Sequence, residues 1–386
     1  MQENLAQFRQ NKKKEKALLG EAKGPSNLSA SKDLSSYDRN RERRFKRIEY
    51  FLGKENFNGF TRKDLFIMAF IKKGWGQDIA ALSNMAESIV NIAKGKPLDI
   101  EICKILIRKI LLRAIHPKVN PYKKDIYSIE SLGKYGYYLE HLNIILGAYN
   151  AIYLGDEKII HLNKKISLHL LRNSMSYSNY HADLLPYVRM KWSADQAAII
   201  YSLWLYDRNF NTNISEELAG NWFKYMDNCM TCKHTGLYNT EVLNTRKYSK
   251  HPRGCSLSYM IHYMGKFAPY KARNLWRRYK RFMFVDNVEL SGFREYLPAY
   301  KGNWNPDSGP IIRGVGIAAT GLGLNAASTV GDFTIFCKIK AKLDRYYSLM
   351  NGLEKIIGKT PLTLIGTDLL SSSVFLNAET KIGWYN

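Results

Sequence analysis

Asp195 and Asp307 are the residues on which acid/base chemistry is most readily built. Asp195 lies in Trp192-Ser193-Ala194-Asp195-Gln196 and Asp307 in Asp307-Ser308-Gly309-Pro310, each at the expected mouth of an apolar helix. Burial there raises a carboxyl pKa and the free amides of the helix end lower it, and the sequence leaves open which effect prevails. Cleaving a sugar linkage takes two carboxyl groups held a defined distance apart, which is what this pair would supply. The plainer role for either aspartate alone is a helix cap or a first-turn partner of the dipole.

Other chemically able side chains gather at comparable places. Glu295 lies in Phe293-Arg294-Glu295-Tyr296-Leu297-Pro298, where Arg294 either holds it ionised or meets an anionic substrate. A surface loop ion pair is the ordinary alternative, and such pairs contribute little. His181 with Asp183 reads as a catalytic base and its orienting partner, or as two solvated loop residues. In Tyr135-Gly136-Tyr137-Tyr138-Leu139-Glu140-His141, either Glu140 or His141 must face inward, and His141 suits a core position as well as a site. Trp192, Tyr296 and Trp304 offer flat faces for sugar rings, with Tyr138 and Tyr187 as further binding candidates; tyrosines pack cores just as readily. Arg253-Gly254-Cys255-Ser256 adds a cation and a thiol. No metal and no cofactor is expected.

Helices must hold these groups. The pattern predicts them over 61 to 72, 76 to 94, 98 to 115, 131 to 153, 157 to 173, 194 to 208, 215 to 227, 254 to 267, 269 to 284, 310 to 329, 331 to 348 and 361 to 377. Ser193 with Gln196 fits a capping box, Pro269 and Pro361 stand at helix starts, and Gly155 closes one helix before Asp156 opens the next. In 310 to 329, Pro310 suits a first turn, and Gly314, Gly316, Gly321 and Gly323 among alanines make sense only where neighbours pack on several sides.

Helices apolar or small on most faces (131 to 153, 194 to 208, 254 to 267, 310 to 329, 361 to 377) alternate with helices bearing a charged stripe (98 to 115, 157 to 173, 215 to 227, 269 to 284, 331 to 348). An inner ring of helices wrapped by an outer ring produces such alternation. The expected fold is therefore all-α, an (α/α)6 toroid, with a generic bundle or an α-solenoid as the other arrangements. In a toroid the loops leading into the inner helices line one central depression. Those loops are dense in aromatic and titratable side chains, whereas Leu154 to Glu157, Phe210 to Ser215 and Thr329 to Phe333 are short and plain.

With 386 residues and 45% hydrophobic content the chain is long enough for a sizeable core. Residues 1 to 45 read as a flexible or partly helical basic tail, leaving 46 to 386 as a single helical domain. The formal charge of +24 favours an anionic partner through that tail, although dispersed lysines make much of it solvated surface. The Arg41 to Arg47 cluster has few aromatics beside it for stacking on nucleic acid. Five cysteines, an odd number, argue against a disulfide framework and for a reducing compartment. Cys229-x-x-Cys232 with His234 lacks the second ligand pair that a zinc site needs. The opening residues are polar, and the most apolar run, Leu65 to Ile71, falls far short of the roughly 20 residues that span a bilayer, so a cytoplasmic location is expected.

Tyr138-Leu139-Glu140-His141-Leu142-Asn143, Trp192-Ser193-Ala194-Asp195-Gln196-Ala197 and Asp307-Ser308-Gly309-Pro310 together resemble the inner-helix starts of the six-hairpin glycosidase-like superfamily. The resemblance implies an (α/α)6 toroid that acts as a hydrolase or lyase on a glycan or sugar-bearing substrate, with Asp195 and Asp307 as the acid/base pair. The chain is also similar, by fold, to the linalool dehydratase/isomerase family, in which Asp, His, Tyr and Cys side chains surround an apolar pocket. That likeness implies dehydration or isomerisation of a small alcohol, using Cys255 or His181 beside the same carboxylates. A third reading is a non-catalytic helical scaffold whose basic tail recruits an anionic partner.

Overall fold

Pro269–Met283 illustrates how the helices form. Pro269 occupies the first turn, where no N–H is needed, and Ala272, Leu275, Trp276, Tyr279 and Met283 recur at helical spacing and are buried. Arg273, Arg277 and Arg278 between them stay exposed. The computed structural model describes residues 41–42, 44–46, 48–52, 75–95, 100–153, 155–242, 251–300, 302–303, 308–357 and 369–385, with backbone alone for 75–77, 346–357 and 369.

The described chain is mainly α. Its helices are α1 (Trp75–Gly95), α2 (Ile100–Ile115), α3 (Gly136–Ile152), α4 (Glu157–Met175), α5 (Ser193–Phe210), α6 (Ile214–Cys229), α7 (Gly254–Phe267), α8 (Pro269–Met283), α9 (Ile317–Val330), α10 (Phe333–Ile357) and α11 (Leu369–Thr380). Three two-stranded antiparallel ribbons interrupt the loops: β1 (Lys191–Trp192) with β2 (Glu241–Val242), β3 (Phe284–Asp286) with β4 (Ser291–Phe293), and β5 (Ile311–Ile312) with β6 (Val315–Gly316).

Odd-numbered helices pack in succession, α1 on α3, α3 on α5, α5 on α7, α7 on α9 and α9 on α11, and α11 returns to α1. Even-numbered helices lie against their odd neighbours. The division matches composition: α3 and α5 are buried on nearly all sides, whereas α4, α6 and α8 keep a solvated face. At Gly323 of α9 a Cβ would stand 2.5 Å from the Phe293 ring, so only glycine permits that approach.

The middle of this cycle is filled by side chains. Glu87 of α1 accepts from the Tyr201 hydroxyl of α5 at 2.8 Å and from Asn377 Nδ2 of α11 at 2.7 Å, and His262 Nε2 of α7 lies 3.2 Å away. Asn84 of α1 accepts from Asn325 of α9 and Asn377. Ser83 of α1 and Tyr259 of α7 meet the same His141 ring, and Glu87 and His262, one turn further along each helix, meet each other, so α1 and α7 run the same way.

Several expectations change. Residues 310 to 329 are not one helix: β5 and β6 form a hairpin whose turn is Arg313 (φ 49°) and Gly314 (φ 83°), and α9 begins at Ile317. Both turn residues take the left-handed conformation that a two-residue hairpin demands. Pro310 therefore caps nothing in a first turn; its carbonyl accepts from Ile317 N–H at 3.1 Å. The Ser193 capping box is absent too, because Gln196 Oε1 accepts from Ala182 N–H at 2.9 Å and Ser193 turns to the Asn239 carbonyl. Asp156 does cap α4, accepting from Ile159 N–H.

Arg44, assigned to the tail, is buried in helical residues 44–46, pairing with Glu379 and with Asp344 at 3.5 Å. Those residues belong to a compact unit that starts at Arg41. The predicted helix 61 to 72, Pro361 and most of the tail lie outside the described residues. Among the described residues no helix is long and apolar enough to cross a membrane.

Candidate active site

The leading ends of α3, α5 and α7 bring together Glu140, Asp195, Tyr259 and His141. Glu140 belongs to a helix that is buried on nearly all sides, which carries its carboxyl inward, and it is 0% exposed. Neither of its oxygens meets a donor in good geometry. Burial, then the negative charge of adjacent Asp195 and the contact with it, push the Glu140 pKa well above the ordinary carboxylate range. Glu140 thus keeps its proton to higher pH than an ordinary carboxyl does. Asp195, in the first turn of α5, is only half-buried.

Around this pair His141 is wholly buried, with Nδ1 2.7 Å from Ser83 Oγ of α1 and Nε2 3.0 Å from the Tyr259 hydroxyl. Burial drives its pKa down to about 3, so the ring is neutral. Tyr137 meets that ring edge-on at 4.9 Å. Burial also raises the Tyr259 phenol well above its usual value, so it remains a donor.

A second buried carboxyl stands at the start of α7. Glu295, 0% exposed, accepts from Arg253 Nε at 3.0 Å, from Cys255 N–H at 3.1 Å and from the Cys255 thiol at 3.0 Å. It caps the helix from a distant loop, and the Gly254 N–H adds a bond to its carbonyl at 2.8 Å. Burial nonetheless raises its pKa, against the lowering by Arg253. Arg253 also faces Glu241 of β2 at 3.7 Å and lies 5.7 Å over the Tyr296 ring. Arg253, not Arg294, is therefore the partner of Glu295; Arg294 is half-buried and joins Val315 through its backbone.

The remaining expected site residues disperse. His181 is 0% exposed, with Nδ1 2.6 Å from the Asn179 carbonyl and Nε2 accepting from Trp222 at 3.3 Å. Burial takes its pKa to about 3, and with both nitrogens engaged it is a core histidine and no base. Asp183 turns away from it, accepting from Tyr177 at 2.6 Å and facing Lys134 at 3.3 Å and Lys191 at 3.4 Å. Tyr138 is buried and donates to the Ala114 carbonyl at 3.0 Å, so it packs the core and offers no platform. Tyr187 is 97% exposed on a loop. Trp192 is half-buried in β1, directly ahead of Asp195, and the Tyr296 hydroxyl donates to the Asn303 carbonyl at 3.0 Å. Asp307 and Trp304 lie outside the described residues.

Sequence reasoning weighed Glu140 and did not choose it, and it passed over Tyr259 and Ser83. The available signal was a Glu-His pair inside an apolar helix. Among the described residues no group of three or more His, Cys, Asp or Glu side chains is placed to hold a metal. The chain matches no family model and no curated protein, so the site is read from its own chemistry.

Proposed function

We propose that this chain is an acid/base enzyme of the (α/α)6 toroid type acting on a glycan or sugar-bearing molecule by hydrolysis or elimination. The returning cycle of odd helices supports the toroid, with the even helices as its outer ring. The observation that carries the enzymatic reading is one proton-bearing carboxyl, Glu140, kept dry against a half-exposed one, Asp195. Two carboxyls so close act as one unit, like two acids sharing a proton, and cannot themselves flank a sugar linkage, which takes a gap of about 5–9.5 Å. Asp195 is then the group that meets substrate, Glu140 stores its proton, and Trp192 and Tyr296 are the aromatic faces for the sugar. The second carboxyl of the pair, on the sequence alone, is Asp307.

The test is turnover on a panel of oligosaccharides and polysaccharides, read as new reducing ends or as unsaturated products. Asp195→Asn and Glu140→Gln are each expected to lower the rate by about 100- to 10,000-fold without unfolding the chain. Undiminished turnover in both variants would end this reading.

A second reading has its own observation. The buried Cys255 thiol beside the Glu295 carboxyl supports a dehydratase or isomerase of a small alcohol, and loss of alcohol turnover in Cys255→Ser with glycan turnover absent would favour it.

A further inference from the structure

Glu140 has no donor in good geometry although a phenol and an imidazole stand next to it, and the nearby Tyr259 hydroxyl lowers its pKa less than burial and Asp195 raise it; the reason lies in where the hydrogens go. Ser83 Oγ donates to the Ala80 carbonyl at 2.9 Å. Its only hydrogen is then spent, so it accepts from His141, whose Nδ1 is 2.7 Å away. A neutral imidazole with its proton on Nδ1 has a bare Nε2, and the Tyr259 hydroxyl 3.0 Å from it must donate there. In this arrangement neither neighbour's hydrogen is aimed at Glu140, whose Oε1 lies 3.8 Å from the same bare nitrogen.

We infer that Ser83, His141 and Tyr259 form a one-way string of hydrogen bonds, anchored on the Ala80 carbonyl, that turns its hydrogens away from Glu140 and so favours the proton of the carboxyl pair on Glu140. The three are positioning residues: they reach the reacting group only through Glu140. In the opposite orientation, Nε2–H would point at Tyr259, the phenol would donate to Glu140, and the carboxyl would ionise more readily. The neutral state of His141 and the raised affinity of Glu140 for its proton agree with the first orientation. The catalytic meaning of the string rests on the function proposed above; its existence does not.

Both can be read without substrate. In the full-length protein labelled with 15N-histidine, the His141 resonances, assigned by their loss in His141→Gln, are expected to show Nδ1 protonated and Nε2 bare at neutral pH. Infrared spectra are expected to contain a protonated-carboxyl band that vanishes in Glu140→Gln. Ser83→Ala removes the acceptor of Nδ1–H, so the ring is expected to shift towards Nε2–H and the band to weaken, with Ser83→Thr restoring both. An Nε2–H or doubly protonated His141 in the unsubstituted protein overturns the inference, as does a Ser83→Ala spectrum identical to it. If Ser83→Ala does not fold, the tautomer of the unsubstituted protein decides alone. An intact string in a protein inactive on every substrate would sink the catalytic reading and leave the string, and an active protein with the other tautomer would do the reverse.

Discussion

Glu140 and Glu295 are both wholly buried near the start of an odd-numbered helix, yet their surroundings are opposite. Glu295 is surrounded by donors: a guanidinium, a backbone amide and a thiol within 3.1 Å. Glu140 has none in good geometry and faces a second carboxyl. A carboxyl saturated with donors is held still and ties a loop to a helix; one deprived of donors keeps its proton and can release it. Burial alone therefore does not fix how tightly a carboxyl keeps its proton. The donors around it matter as well.

The largest expected effect tests the saturated side. Arg253→Leu takes the guanidinium away from Glu295 in a site where Arg253 is 3% exposed. Breaking a buried pair in this way is expected to cost about 3–5 kcal/mol, read as a lower urea midpoint. A loss comparable to that of a surface substitution would mean that Glu295 is not the fixed half of the comparison.

Glu140→Gln tests the other side through pH. Folded Glu140 binds its proton more tightly than unfolded Glu140, so the folded state carries the extra proton between the ordinary carboxylate pKa and the raised one. Stability contributed by this group falls as pH rises through that window, by at most about 1.4 kcal/mol per pH unit, and is level below it. Urea midpoints for the variant are expected to lose that slope and exceed those of the parent protein at neutral pH. Glu87 supplies a contrast of opposite sign. Although burial pushes its pKa up, Lys381 and His262 hold it well below the usual range, so its contribution is present at neutral pH and disappears on acidification. Parallel pH profiles for the parent protein and Glu140→Gln would show that the donor-poor environment does not retain the proton.

The alternation of packed and striped helices was legible because α3 and α5 are apolar all round whereas α8 segregates its arginines. Pro269 and Asp156 marked their helix starts for reasons local to the chain. The β5–β6 hairpin was misread because Pro310 and the small residues of α9 masked a shorter signal, the β-branched Ile311, Ile312 and Val315 flanking Arg313-Gly314. The pairing of Glu140 with Asp195 was illegible for another reason: it depends on which faces of α3 and α5 meet. His181 showed the limit of proximity in sequence, since Asp183 two residues on points elsewhere and Trp222 of α6 decides its state.

Tyr187 gives the smallest expected effect and tests where the working end of the site stops. A sugar platform needs a ring held against a rigid backing, so that only one face is left for ligand, and a ring that is 97% exposed is not held in that way. Trp192 is half-buried on a strand that leads straight into Asp195, which gives it the backing that Tyr187 lacks. Tyr187→Ser is expected to change stability by less than about 0.5 kcal/mol and to leave turnover unchanged, whereas Trp192→Ala raises KM. A Tyr187→Ser protein with the KM of Trp192→Ala would move the substrate out over the loop at 185–188 and make the donor-poor pair only the inner end of a longer groove.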